Sequence, residues 1–202
     1  MPTTARGIAT RRRILDAAAA EFARVGIAGA RMERITATAE ANKAQLYAYF
    51  GSKDGLFEAV IADRLGSTVD AVPFDVDDLP GWAVGLYDRN LRDPDLARLI
   101  AWTRLERRPT GPWFDGEEHE VKLAAIAEAQ AAGRLRAGDP ADLLVLLIGM
   151  ASAWSPASST YTATTSEPGS VHDRRRALLR AAVEQVVAPA PPQGGGGVDA
   201  GP

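Results

Sequence analysis

Two short apolar stripes set almost end to end, over 32–39 and 43–50, constrain this chain more than any other feature. Met32, Ile35 and Ala39 keep the i, i+3, i+7 spacing of a helix only about two turns long. Asn42 then offers an N-cap, with Gln45 three residues later in the manner of a capping box, so a second short helix is predicted over 43–50 and Gly51 ends it. Longer stripes flank the pair. Over 10–25, Ile14, Leu15, Ala18, Phe22 and Val25 share one face, with Thr10 as the expected cap and Gly26 as the stop. Over 53–71, Leu56, Phe57, Val60, Ile61 and Leu65 are expected inside, with Ser52 as cap and Asp54 at the positive helix end. Four helices in the first 71 residues, two of them short and joined by a tight turn, make a compact unit.

No window alternates like a strand, so the chain is predicted to be all-α. The stretch "VPFDVDDLPGW" (72–82) breaks the pattern with two prolines and three aspartates and marks a boundary. Beyond it the periodicity predicts helices near 81–92, 94–107, 117–133, 140–155 and 171–188. Asp93-Pro94 and Asp139-Pro140 read as caps followed by first-turn prolines. The Ser/Thr-rich "PASSTYTATTSEPGS" is expected to be a mobile loop, and "PAPPQGGGGVDAGP" a disordered tail, since no strand or helix frames its glycines as a phosphate loop. The expected organisation is a head over 8–68, a larger body over 75–188 and the tail 189–202.

Several function classes are excluded by composition. With no cysteine there are no disulfides, thiolate metal sites or thiol catalysis, and with only His119 and His172 no multi-histidine metal site is expected. No apolar run reaches a membrane span, "LLVLLIGMASAW" (143–154) being a buried-helix length, and the start lacks the apolar core of a secretory signal. A cytoplasmic protein without membrane partners, metal or cofactor is expected. Catalytic patterns fail as well: "EEHEVK" has Leu123 where a zinc helix needs its second histidine, and "GMASA" lacks the second glycine of a nucleophile elbow. The net charge of −3 hides an asymmetry: residues 1–53 hold nine basic residues against four acidic, leaving 14 of the 23 basic and 22 of the 26 acidic residues to the remainder. A basic head on an acidic body suits a polyanionic partner or, equally, a solvated charged surface.

Helix, tight turn and second helix is the geometry that lays a short helix in a major groove about 12 Å wide. Leu46 and Phe50, four apart, are expected to face inward, which leaves Lys43, Ala44, Gln45, Tyr47, Ala48 and Tyr49 outside. Alanines at 44 and 48 allow close approach, and Gln45 offers an amide that either reads a base edge or closes the capping box. Lys43, Lys53, Arg6 and Arg11–Arg13 can meet phosphates, as can the tyrosine hydroxyls. The segment "ARMERITATAEANKAQLYAYFGSKDGLFEAV" (30–60), after "ILDAAAAEFARVG", resembles the DNA-binding head of the tetracycline-repressor (TetR) family over about residues 8–68, with "LYAYFGSK" its strongest part. The resemblance implies an all-helical fold whose third helix recognises DNA, a fourth helix leading to a ligand-binding body, and a homodimer on a palindromic double-stranded operator. It puts Asn42, Lys43, Ala44, Gln45, Tyr47, Ala48 and Tyr49 on the recognition helix and Lys53 at a phosphate. Two departures stand out: Glu40 where the family usually has the turn's glycine, and Arg31 where a Thr or Ser often starts the second helix, which loses a cap and gains a phosphate contact.

In the body, Tyr87, Trp102, Leu105, Trp113, Phe114, Met150 and Trp154 either line a cavity for a small-molecule effector or form an ordinary core. Leu143, Leu144, Leu147, Ile148 and Ala151, with Leu178, Ala182, Val183 and Val186, either make a dimer interface, as the resemblance implies, or lie inside one chain. The reading that unites these features is a homodimeric, effector-released repressor that is not an enzyme. The alternatives are an activator, a regulator without a ligand, or an interaction protein with a basic head.

Overall fold

The first helix begins earlier than its apolar stripe. In the computed structural model, which describes residues 4–107 and 117–189 but not the side chains of 68–70 and 117, α1 spans Ala5–Gly29. Thr4 caps it, its Oγ1 accepting the Gly7 N–H at 3.2 Å. Thr10 is buried inside the helix, where its hydroxyl donates to the Arg6 carbonyl at 3.0 Å, so the expected cap there is corrected. Gly26 interrupts the helix as expected, at φ 76° and ψ −180°.

Short α2 (Met32–Thr38) and α3 (Lys43–Phe50) follow, then α4 (Lys53–Ala71), a 3-10 turn (Val76–Asp78), α5 (Leu79–Arg92), α6 (Asp95–Arg107), α7 (Glu117–Ala131), α8 (Pro140–Ala151) and α9 (Gly169–Val187). No strand occurs among the described residues. Aspartate caps recur: Asp78 accepts the Gly81 N–H at 2.8 Å, and Asp139 those of Ala141 and Asp142. Helix α8 stops at Ala151 rather than 155, where the chain passes into tight turns: the Ala153 N–H reaches the Met150 carbonyl at 3.2 Å and the Ser155 N–H that of Ser152 at 2.9 Å. The loop after it is tied down: Glu167 accepts from Tyr161 Oη at 2.7 Å, the Thr164 N–H at 2.9 Å and both Arg175 guanidinium nitrogens. Most of the predicted tail, residues 190–202, lies outside the described residues.

Two cores hold the fold. In the first, Ile14, Phe22, Ile35, Leu46, Leu56 and Phe57 pack together, Phe22 and Phe57 edge to face at 5.2 Å; Val25, Ile61 and Leu65 are only half-buried. Leu99 of α6 belongs to this core, so the body is rooted in the head. The second gathers Leu79, Trp82, Tyr87, Ile126, Leu144, Leu147, Leu179 and Val183. Helix α3 buries Leu46 alone completely, worth about 1.5–3 kcal/mol. With a capping box adding roughly 1 kcal/mol, it is held as a thin surface element whose outer face stays free. Helix α6 runs against both α1 and α4, and α5 packs along α9, which makes α6 the bridge between the two cores.

Candidate nucleic-acid interface

The turn between α2 and α3 closes despite the missing glycine. Glu40 takes φ 48°, the Ala41 N–H reaches the Thr36 carbonyl at 3.0 Å, and the Glu40 N–H reaches Ala37 at 3.3 Å. This is a Schellman end with a glutamate at its left-handed position, at a cost of about 1–2 kcal/mol relative to a right-handed residue. The next helix starts at once. Asn42 Oδ1 accepts the Gln45 N–H at 2.8 Å, and Gln45 Oε1 accepts the Asn42 N–H at 3.2 Å. The capping box therefore forms, and it uses only the acceptor end of Gln45. The amide Nε2 makes no hydrogen bond among the described residues and is free to donate.

Asn42, Lys43, Ala44, Gln45, Tyr47 and Ala48 form the exposed side of α3, with Tyr47 at 45 % exposure. Tyr49 does not join them fully. It is half-buried, edge-on to Phe50 at 6.2 Å, because a residue three after Leu46 lies on the flank of the packed face. Lys43 is paired with Glu33 of α2 at 2.5 Å, and that contact holds the Glu33 carboxyl below its ordinary range. Lys53 is half-buried and donates its Nζ to the Ala28 carbonyl at 3.0 Å, which leaves two ammonium hydrogens for a phosphate. Arg31 is exposed, with no ion pair among the described residues. The basic start of α1 is mostly occupied within the fold: Arg12 bonds Asp16 and Asp63, Arg13 donates to the Ala39 carbonyl, and Arg11 lies over the Phe50 ring at 5.4 Å. Glu21 is buried, which opposes its charge, but Arg24 at 2.7 Å, the Arg31 N–H and Arg34 together hold its carboxyl below the ordinary range.

A clasp that the sequence does not announce joins this surface to the body. The Glu106 carboxylate at the end of α6 accepts the N–H groups of Ile27 at 3.1 Å and Ala28 at 2.8 Å, which the break at Gly26 leaves without helical partners. Trp102, one turn earlier, donates Nε1 to the Ala23 carbonyl at 3.2 Å. Arg107 binds Asp54 at 2.6 Å and Glu58 at 3.5 Å while stacking over Phe57. Ala28 is thus gripped from the body by Glu106 and from the head by Lys53. These pairs are 25 to 79 positions apart, and no local pattern in the sequence encodes them.

The residues named for an effector divide between two places. Tyr87 is buried against His172, Oη to Nδ1 at 2.7 Å, and edge-on to Trp154 at 5.7 Å; Met150 packs half-buried on the same core. Trp102 and Leu105 instead line a cavity of about 600 Å³ between the α5–α6 corner and residues 162–165, open enough that Leu105 is 69 % exposed. Trp113 and Phe114 lie outside the described residues. The dimer set also divides. Leu143, Leu144, Leu147, Ala151 and Val183 are in the core of the chain itself and cannot meet a partner, because α8 turns that face onto α5 and α9. Ile148 and Leu178 are exposed, Ala182 and Val186 partly so, and Val145 and Leu146 extend the free apolar face of α8. Among the described residues no helix is long and apolar enough to cross a membrane, and no acidic, histidine or cysteine group is arranged to hold a metal.

Known proteins share this arrangement. The family model for bacterial regulatory proteins of the tetR family matches residues 14–60, and that for the tetracyclin repressor-like C-terminal domain matches 78–185. The chain is 43% identical over 147 residues to the HTH-type transcriptional repressor SCO4008 of Streptomyces coelicolor, covering 71% of this chain and 77% of that one. It also resembles the crystal structure of a transcriptional regulator, SCO4942, from the same organism, with a TM-score of 0.73 and 38% identity over 88% of this chain and 98% of that one. At 18% identity and a TM-score of 0.59, AibR, solved in complex with isovaleryl coenzyme A and operator DNA, shares the fold over 90% of this chain and 100% of its own. None of these descriptions indicates an enzymatic activity.

Proposed function

The chain belongs to the TetR family of bacterial regulators, and we propose that it is a homodimeric repressor that holds a palindromic operator and releases it when a small molecule occupies the body. The exposed face of α3 carries this reading. Ala44 and Ala48 let the helix backbone approach the groove floor, the free Gln45 amide donates to a base acceptor, and Tyr47 reaches phosphate. Lys43, Lys53 and Arg31 supply charge, Asn42 fixes the helix start, and Tyr49 braces the flank. The head over 8–68 and the body over 75–188 then divide recognition from control.

Pairing of two chains is supported by the apolar residues left outside the core on α8 and α9, namely Val145, Leu146, Ile148 and Leu178. Two heads on one duplex face must sit one helical turn apart, about 34–36 Å. A change in the body reaches the heads through α6, whose Glu106 and Trp102 hold the end of α1 beside Lys53. A ligand shifts this equilibrium only by its differential affinity for the two body states. The test titrates a fragment of the regulator's own promoter in a mobility-shift assay with and without effector. Release at effector saturation is expected, and unchanged operator affinity at full occupancy contradicts the coupling.

A further inference from the structure

We propose that the cavity beside α6 binds an amphipathic organic carboxylate, its acid group held by Arg92 and Arg98 and its apolar part laid against Trp102. The inference rests on the reading of the body as an effector domain and adds the chemistry of the ligand. Among the described body residues, Arg89, Arg107, Arg134, Arg175, Arg176 and Arg180 have a carboxylate within 4.0 Å, whereas Arg92, Arg98, Arg104, Arg136 and Arg174 do not. Of these five, Arg92 and Arg98 share a cavity. Arg92 makes one hydrogen bond, to the Asp88 carbonyl at 3.3 Å, and Arg98 has no ion pair among the described residues. The lining of that cavity contains no aspartate or glutamate among the described residues.

Of the neighbouring acids, Asp93 pairs with Arg89 at 2.8 Å, and Asp95 feels the charge of Arg98 but forms no ion pair with it within 4.0 Å. Two guanidiniums without an ion-pair partner in one concave site favour an anion, and their forked donors match a carboxylate in two-point geometry. The remaining walls are apolar, from Leu91, Pro94, Trp102 and Leu105, with threonine hydroxyls at 162, 164 and 165 opposite. A volume of about 600 Å³ suits an aryl or medium-chain acid rather than a bare inorganic ion. Trp102 is also the residue that packs against Gly26 and bonds the Ala23 carbonyl, so the ligand's apolar part touches the clasp on the head directly.

The experiment is calorimetric titration of the DNA-free, full-length protein with 2-naphthoate and octanoate, each against its neutral alcohol. The acids are expected to bind about 10- to 100-fold more tightly than the alcohols, as charge-assisted hydrogen bonds require. Arg92→Gln with Arg98→Gln should erase that preference and leave alcohol affinity unchanged, while the two lysine substitutions should restore part of it. Both arginines are exposed and neither forms an ion pair among the described residues, so melting temperatures close to that of the parent are expected for these variants. Equal affinity for acid and alcohol, no binding of either acid, or a preference that survives the double substitution overturns the proposal. A second arm follows operator affinity at saturating 2-naphthoate. Selective binding without release leaves the carboxylate site standing and removes the effector reading, so the two failures are distinct.

Discussion

Replacing Gly26 by alanine probes the joint between body and head where the structure makes the strongest demand on one residue. Its φ of 76° and ψ of −180° fall in a region almost confined to glycine, at a cost of about 1–3 kcal/mol for any other residue. A Cβ there would lie 2.9 Å from the Trp102 ring and inside contact distance of Glu106 Oε1. The carboxylate can swing away, but it then abandons the Ile27 and Ala28 N–H groups, about 1 kcal/mol each for partly exposed bonds. The sum is roughly 3–5 kcal/mol, or about 6–20 °C in melting temperature for a domain of this size. Gly133→Ala is the control. It has a similar φ of 71° but nothing within 4 Å, so only the backbone term of about 1–2 kcal/mol applies. Differential scanning calorimetry of both variants decides the matter. If Gly26→Ala melts with Gly133→Ala, the Glu106 clasp contributes nothing and the account of α6 as the bridge fails.

Glu40→Gly should raise stability by about 0.5–1 kcal/mol, because glycine takes φ 48° without strain; a melting curve unchanged or lowered would mean that the turn is not strained. Gln45→Ala should relax preference at one or two base positions in a binding-site selection, since it removes the free Nε2 donor, whereas an unchanged profile would confine Gln45 to the capping box. Glu167, held down to about 2 by Arg175, the Thr164 N–H and Tyr161, has a folded-state value below its ordinary one. Its contribution is therefore complete above about pH 5 and is lost as pH falls from there through about 2. Glu167→Gln should flatten the acid limb of melting temperature against pH in that window, and a parallel limb would show the loop anchor to be inert.

Much of the fold was legible because its signals are local. Apolar spacing, the aspartates at 93 and 139, and the glycines at 26 and 51 fix where helices start and stop within a few residues, whereas the Asp78 cap on α5 went unread. Errors arose where a distant atom intervenes or a local signal was misread: Thr10 looks like a cap but is packed inside a helix that Thr4 begins, and α8 gives way to tight turns after Ala151. The exposed face of α3 was readable from the spacing of Leu46 and Phe50, but not the engagement of Lys43 by Glu33 or of Lys53 by Ala28. For the body, periodicity identifies an apolar face and cannot say what covers it. Leu144 and Leu147 meet their own chain while Val145 and Leu146, one position away, stay open. The clasp at Glu106 had no sequence signal at all, since a glutamate near a helix end is ordinary surface until a broken helix presents free N–H groups to it.

The central claim, a dimeric reader of a symmetric operator, is tested most directly by selecting bound sequences from random duplex DNA with the full-length protein. The account predicts a palindromic consensus whose half-sites are centred about one helical turn apart. A single unpaired half-site, or enrichment of no sequence over background, contradicts it.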